Sequence, residues 1–263
     1  MGIEVKVKTD RESFSVDLSK SFDLSLSIKA KGVKAWYVGD PKIRPVKGDG
    51  FIGEVAQGGS VNFFDIDFNP HGHGTHTECI GHISTEHESL DKLHQYHYTS
   101  VLLSITPEAI DEKGFELAEK GDTWISARQL QQGLGGARPK ALIIRTLPNL
   151  ESKKEINYSG KNPTYFDPKG LAWLEEIGIE HILVDLPSVD REHDKGLLLA
   201  HRAFWKNSRT ENGSFRTITE LIFVPDEAAD GWYWLNLMIA AFDNDAQASR
   251  PIIYPIKTRE SHG

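Results

Sequence analysis

The fifteen residues NPHGHGTHTECIGHI (69–83) place His71, His73, His76, His82 and Glu78 in one short stretch. Seven of the 11 histidines fall within residues 71–97, a crowding that an even spread would not produce. His76 and Glu78 are two apart, so in an extended segment both side chains leave the same face. Gly72 and Gly74 allow sharp backbone turns that bring His71 round to that centre. Imidazole nitrogen and carboxylate oxygen together suit Zn, Mn or Fe(II). A metal so held brings a bound water's pKa towards neutrality and polarises a carbonyl. The competing reading, a solvated histidine-rich loop, does not account for the clustering.

The other candidates are weaker. Cys79, the only cysteine, lies beside Glu78 and would point to the opposite face, as a small buried thiol rather than a nucleophile. With one cysteine there is neither a disulfide framework nor a CxxC zinc site. Ser188 and Asp190 show no paired histidine that would complete a triad. His87, His94 and His97 stand in a polar stretch and read as surface residues. Gly133–Gly136 lacks the spacing of a phosphate-binding loop.

These residues need a scaffold, and 263 residues can bury a sizeable core. Hydrophobic residues make up 39% and charged residues 26%, an ordinary globular balance. The net charge is −8 and the basic residues are scattered, which argues against nucleic acid and anionic membrane as partners. No apolar run approaches a membrane span and the N-terminus has no apolar leader, so a cytoplasmic enzyme with a small-molecule substrate is expected. Strand patterns run through 3–8, 13–19, 23–30, 61–68, 99–105, 141–146, 181–186, 217–222 and 232–242. Helices are expected at 106–121 (opened by Thr106 and Pro107), 123–134 (Ser126 near its start), 167–178 (stopped by Gly178) and 195–207. Residues 36–50 and 147–166 read as loops. With no repeat and no linker, the pattern predicts one α/β domain over 1–263, a mixed β-sheet core flanked by helices.

The histidine segment resembles the signature of the metal-dependent cyclase family, which includes kynurenine formamidases and isatin hydrolases: His-x-Gly-Thr-His-x-Asp-x-Pro-x-His. Gly74-Thr75-His76 and His82 fall in register. Asp17-Leu18-Ser19, the loop WYVGDP (36–41), the strand ALIIRT and the block GLAWLEEIGIEHILVDLPSVD (170–190) are also similar to family segments. The chain departs from the pattern in three places. Gly72 stands where the first histidine belongs, Glu78 replaces the aspartate and Ile80 the proline. His71 and His73 flank the empty place. A one-residue bulge would bring His71 in, whereas His73, beside the Gly-Thr-His turn, would point away.

The resemblance implies a swivelling β/β/α-like fold and one or two divalent ions, Zn or Mn, on His71, His76, Glu78, His201 and Glu220. It implies His82 as the acid–base group, with a structural histidine as its bland alternative. Tyr37 or Trp36 would be the substrate-facing aromatic, and either could equally be core. The implied activity is hydrolysis of an amide, formamide or lactam C–N bond, as in arylformamidases. A cyclase or dehydratase on the same metal site and a metal-holding protein without catalysis are the alternatives. Family members commonly associate, and the aromatic run WYW (232–234) offers apolar surface, so a homodimer or larger is expected.

Overall fold

Four parallel strands organise the chain, and the central two, ALIIRT and HILV, are buried at every position. The computed structural model describes residues 2–8, 12–110, 115, 117–209 and 215–261. Its main sheet comprises β1 (Glu4–Lys8), β2 (Glu12–Asp17), β3 (Phe22–Asp23), β4 (His76–Glu78), β5 (His97–Ile105), β6 (Ala141–Thr146), β7 (His181–Val184), β8 (Thr217–Glu220), β9 (Gly231–Ile239) and β10 (Ala246–Ser261). Strands β5, β6, β7 and β8 run parallel in that order. β6, ALIIRT, is buried at every position, as expected of a parallel strand covered on both faces. β10 pairs with β9 on one edge and with β4 on the other, and β4 pairs in turn with β8. With β9 also paired to β5, seven strands close into a ring. Closure leaves the three-residue β4 bonded on both sides.

Alternation along the strands divides the core. Leu102, Ile143, Leu183, Leu235 and Ile253 form one cluster. Leu103, Leu142, Ile144, Ile182 and Val184 face the other way, against Leu130, Leu171, Leu174 and Phe204 of the helices. Those helices are α1 (Ala127–Leu134), α2 (Pro168–Glu176) and α3 (Leu199–Phe204). Ser126 and Gln129 form a reciprocal cap on α1. Asp167 caps α2, and Pro168 starts it where no N–H is needed.

The mixed sheet and its flanking helices agree with the sequence reading; several boundaries do not. The helix expected at 106–121 is absent from its described part: Glu108–Ala109 is a strand paired with Thr123–Trp124, and residues 111–114 and 116 lie outside the described residues. The helix expected from residue 123 starts only after a strand at Thr123–Ile125. That expected at 195–207 is the short α3. The stretch 23–30 is a strand only at its first residue. Residues 36–50, read as a loop, hold the strand Lys42–Pro45, which pairs with Phe64–Asp67, and Lys47–Gly48, which pairs with Phe51–Ile52. β10 had no counterpart in the sequence reading. The WYW run is only partly covered within the chain, with Trp232 and Trp234 half-buried. Tyr233 is buried, Arg259 lies 3.4 Å over the Trp232 ring, and Phe14 meets Trp234 edge-on at 5.4 Å.

Candidate metal centre

β4 and β8 together place three of the expected side chains. In their antiparallel register Glu220 faces His76 and Ile218 faces Glu78. Two-residue periodicity puts His76, Glu78 and Glu220 on one face; on the other, the hydroxyls of Thr77 and Thr219 are 2.8 Å apart. His201 comes from α3, which Asp190 holds by accepting from the Ala200 and His201 backbone N–H groups at 2.7 and 3.0 Å. His76, Glu78, His201 and Glu220 are all buried.

The ring nitrogens are sorted. His201 sets Nδ1 2.6 Å from Asp190 Oδ2 and Nε2 2.9 Å from Glu78 Oε1. His76 sets Nδ1 3.2 Å from the Gly74 carbonyl. Its Nε2 lies 3.4 Å from Glu220 Oε2 and has no hydrogen-bond partner, although it is fully buried. His71 sets Nδ1 3.0 Å from Glu78 Oε2 and Nε2 2.9 Å from Asp245 Oδ2. His82 is at the mouth, 30% of its side chain exposed, with Nδ1 3.9 Å from Glu78 and 3.6 Å from Asp245. Three overlapping groups, His71–His76–Glu78, His71–His82–Asp245 and Glu78–His82–His201, each hold their ligand atoms within 4.8 Å of one another.

His71, not His73, turns into this cluster. His73 Nδ1 accepts from the Asn69 N–H at 2.9 Å and Nε2 donates to the Gly39 carbonyl at 2.7 Å, so both nitrogens are committed elsewhere. Position 72 has no room for a side chain: a Cβ there would meet Val38 Cγ2 at 2.8 Å. A cleft of about 380 Å³, lined by Gly39, Asp40, Asp67, Phe68, Pro70 and His73 among others, lies on the His73 side of the turn and includes none of the clustered side chains.

The electrostatics are those of a crowded, buried charge cluster. Burial would lower the His71 pKa, but the Asp245 and Glu78 carboxylates overcome it and raise it to about 10. Burial lowers His201 too, and Asp190 and Glu78 reverse that to well above its ordinary value. Burial raises Glu78, but His82, His201 and His71 hold it well below the usual carboxylate range. Glu220 is pushed up by burial and then by the Glu78 charge. Cys79, up to about 12 through burial, is an inert thiol.

A divalent ion fits this donor set. Imidazole nitrogens and carboxylate oxygens converge, the buried His76 Nε2 is orphaned, and two buried carboxylates crowd each other. Trp36 packs with Val33, Ala35, Tyr158 and Leu221, the residue after Glu220. Tyr37 is 67% exposed, its hydroxyl 3.5 Å from His193. Asp190, set aside in the sequence for want of a paired histidine, is paired with His201 at 2.6 Å, and Asp245 was not among the expected site residues. Asp190 ends the family-like block 170–190, which is a usable signal; Asp245 stands in an Asp-Asn-Asp run that carries none.

Residues 22–191, well over half of the chain, match the cyclase family, described as "Putative cyclase". The chain belongs to that family. Among solved structures it is similar to one described as a predicted metal-dependent hydrolase from Bacillus stearothermophilus (15% identity, 89% of this chain and 98% of that one, TM-score 0.61). It is also similar to an isatin hydrolase bound to the product analogue thioisatinate (12%, 90% and 92%, TM-score 0.65). Isatin hydrolase A from Labrenzia aggregata is a third (13%, 90% and 94%, TM-score 0.63). At such identities the likeness concerns the fold. No curated protein matches the chain significantly. No helix among the described residues is long and apolar enough to cross a membrane.

Proposed function

We propose that the protein is a metal-dependent hydrolase of an amide, formamide or lactam C–N bond, with His71, His76, Glu78, His201 and Glu220 holding one or two ions of Zn or Mn. The observation that carries this reading is the buried, unpartnered His76 Nε2 facing Glu220 among converging donors. The metal-dependent hydrolase and isatin hydrolase neighbours support it. When bound, the metal supplies a water of near-neutral pKa and a Lewis acid for the carbonyl. The rest falls to the chain. Asp190 and the Gly74 carbonyl each take one nitrogen of His201 and His76 and leave the other free to ligate. His82, at the exposed mouth, takes a proton from the attacking water and returns it to the leaving nitrogen. Tyr37, exposed beside His193, is the aromatic that meets the substrate, while Trp36 backs the Glu220 end of the site.

The family's own name and a neighbour titled as having cyclase activity favour a second reading, in which the same site acts without net hydrolysis. Turnover of a panel of N-formyl and cyclic amides in labelled water separates the two: hydrolysis puts one solvent oxygen into the product, and cyclisation none. Metal analysis of protein purified without chelator tests the site itself. His76→Ala is expected to lose most of its metal, and an unchanged content would refute the ligand set.

A further inference from the structure

Asp245 is the one acidic side chain in the cluster that no family segment brings there, and its position is built. It immediately precedes β10, and its backbone carbonyl accepts from the Cys79 N–H at 3.1 Å. The next residue, Ala246, pairs with Glu78. The approach is close: a Cβ at Gly81 would stand 2.9 Å from the Asp245 Cβ and 2.2 Å from the Glu88 carbonyl oxygen. Glycine at 81 is what lets the 243–246 segment lie against the histidine turn. From there Asp245 Oδ2 reaches His71 Nε2 at 2.9 Å and stands 3.6 Å from His82 Nδ1.

We propose that Asp245 is the positioning residue for His71, accepting its Nε2–H and aiming Nδ1 at the metal beside Glu78. This rests on the metal-site reading above. The geometry repeats that of His201, where Asp190 takes Nδ1 and leaves Nε2 beside Glu78. A metal-bound histidine needs such an acceptor to fix its tautomer and its ring plane. The need is sharper at His71, which enters one residue early because position 72 is filled by Val38. Its side chain is 22% exposed, whereas those of His76 and His201 are buried. Packing alone therefore does not hold the ring. In this chain the displaced histidine and the carboxylate of the 243–245 turn work as one unit.

Zinc titration against a competing chelator tests this, on metal-stripped wild type, Asp245→Ala, Asp245→Asn, His71→Ala and the double variant His71→Ala/Asp245→Ala. The backbone bond to Cys79 does not depend on the side chain, and Asn keeps the shape, so the Asn variant carries the test should Ala not fold. Asp245→Ala is expected to keep the wild-type stoichiometry and bind zinc about 10–100-fold more weakly. Asp245→Asn, with an acceptor oxygen but no charge, should fall between. In the His71→Ala background, removing Asp245 should add nothing. Loss of one equivalent of zinc in Asp245→Ala would make Asp245 a ligand and overturn the proposal. So would wild-type affinity in both Asp245 variants, or losses that add in full in the double variant. Wild-type protein that binds no zinc would instead sink the metal reading beneath it.

Discussion

At the scale of single residues, the cluster divides into a floor and a rim. His76, Glu78, His201 and Glu220 are buried, while His82, Asp245 and His71 have side chains 22–30% exposed. Ligands and the proton shuttle should fail differently, and His71 counts with the ligands although it lies on the rim. Removing a floor ligand takes the metal away, whereas removing a proton shuttle leaves the site filled but slow. His82→Ala is expected to keep near-wild-type metal content and lose about 10²–10⁴ in kcat on whatever substrate the panel identifies. Metal loss in that variant would make His82 a ligand; full activity would return it to a structural role. His71, His76 and Glu78 were legible because they lie within one turn and one short strand, where spacing translates directly into a shared face; His82, on the 3-10 helix Ile80–His82, took its role from the family resemblance. His201 and Glu220 came only from the family resemblance. Asp245 was not legible at all. It meets His71 across 174 positions of chain, through a ring closure that no local pattern encodes.

At the scale of elements, the chain announces strands whose residues are all buried and conceals those decided by pairing. ALIIRT and HILV read as strands because both faces are apolar and β-branched residues are frequent. Thr106-Pro107 is a good helix start, yet Glu108–Ala109 pairs with the Thr123–Ile125 strand: tertiary pairing overrides the local signal. β10 carries Pro251 and Pro255, which break a strand pattern, and it is bonded on both edges all the same, with a register shift between Ile256 and Thr258. β7 also brings a histidine into the core. His181 is fully buried, its Nδ1 2.8 Å from Thr217 Oγ1 and its ring 3.9 Å from that of Tyr98. Burial first, then the Lys140 and Arg216 charges, lower its pKa to about 3. The unfolded chain takes up this proton below about pH 6.5 and the native protein does not, so the contribution is complete above that pH and declines as pH falls towards 3. Urea unfolding of metal-stripped protein should therefore show stability falling from pH 6.5 towards pH 4, and His181→Gln should flatten that slope. An equal slope in the variant would assign the acid loss to other groups.

At the scale of the molecule, the candidate metal cluster is also the place where the ring closes. β4 contributes His76 and Glu78, and the same three residues are bonded to β8 on one side and β10 on the other. Glu220 ends β8 and Asp245 precedes β10, so all three strands meet at the site. Besides the half-buried Trp232 and Trp234, the ribbon formed by Lys42–Pro45 and Phe64–Asp67, where Ile43, Phe64 and Ile66 are exposed, offers apolar surface for the homodimer or larger assembly we propose. Sedimentation at micromolar concentration should show the assembly, and a monomer would refute it. Closure at the metal has a thermodynamic consequence. Without the ion, Glu78 and Glu220 repel across the closing strands, burial pushing Glu220 towards its neutral form. An ion that binds only the closed ring stabilises it by about 2.7 kcal/mol at a free concentration 100 times its Kd. In a chain of this length that is on the order of 5–10 °C in Tm. Zinc added to stripped wild-type protein should produce a shift of that size, and His76→Ala should show little of it. A wild-type Tm indifferent to saturating metal would mean that the ring is equally closed without it, and that the ion serves chemistry alone.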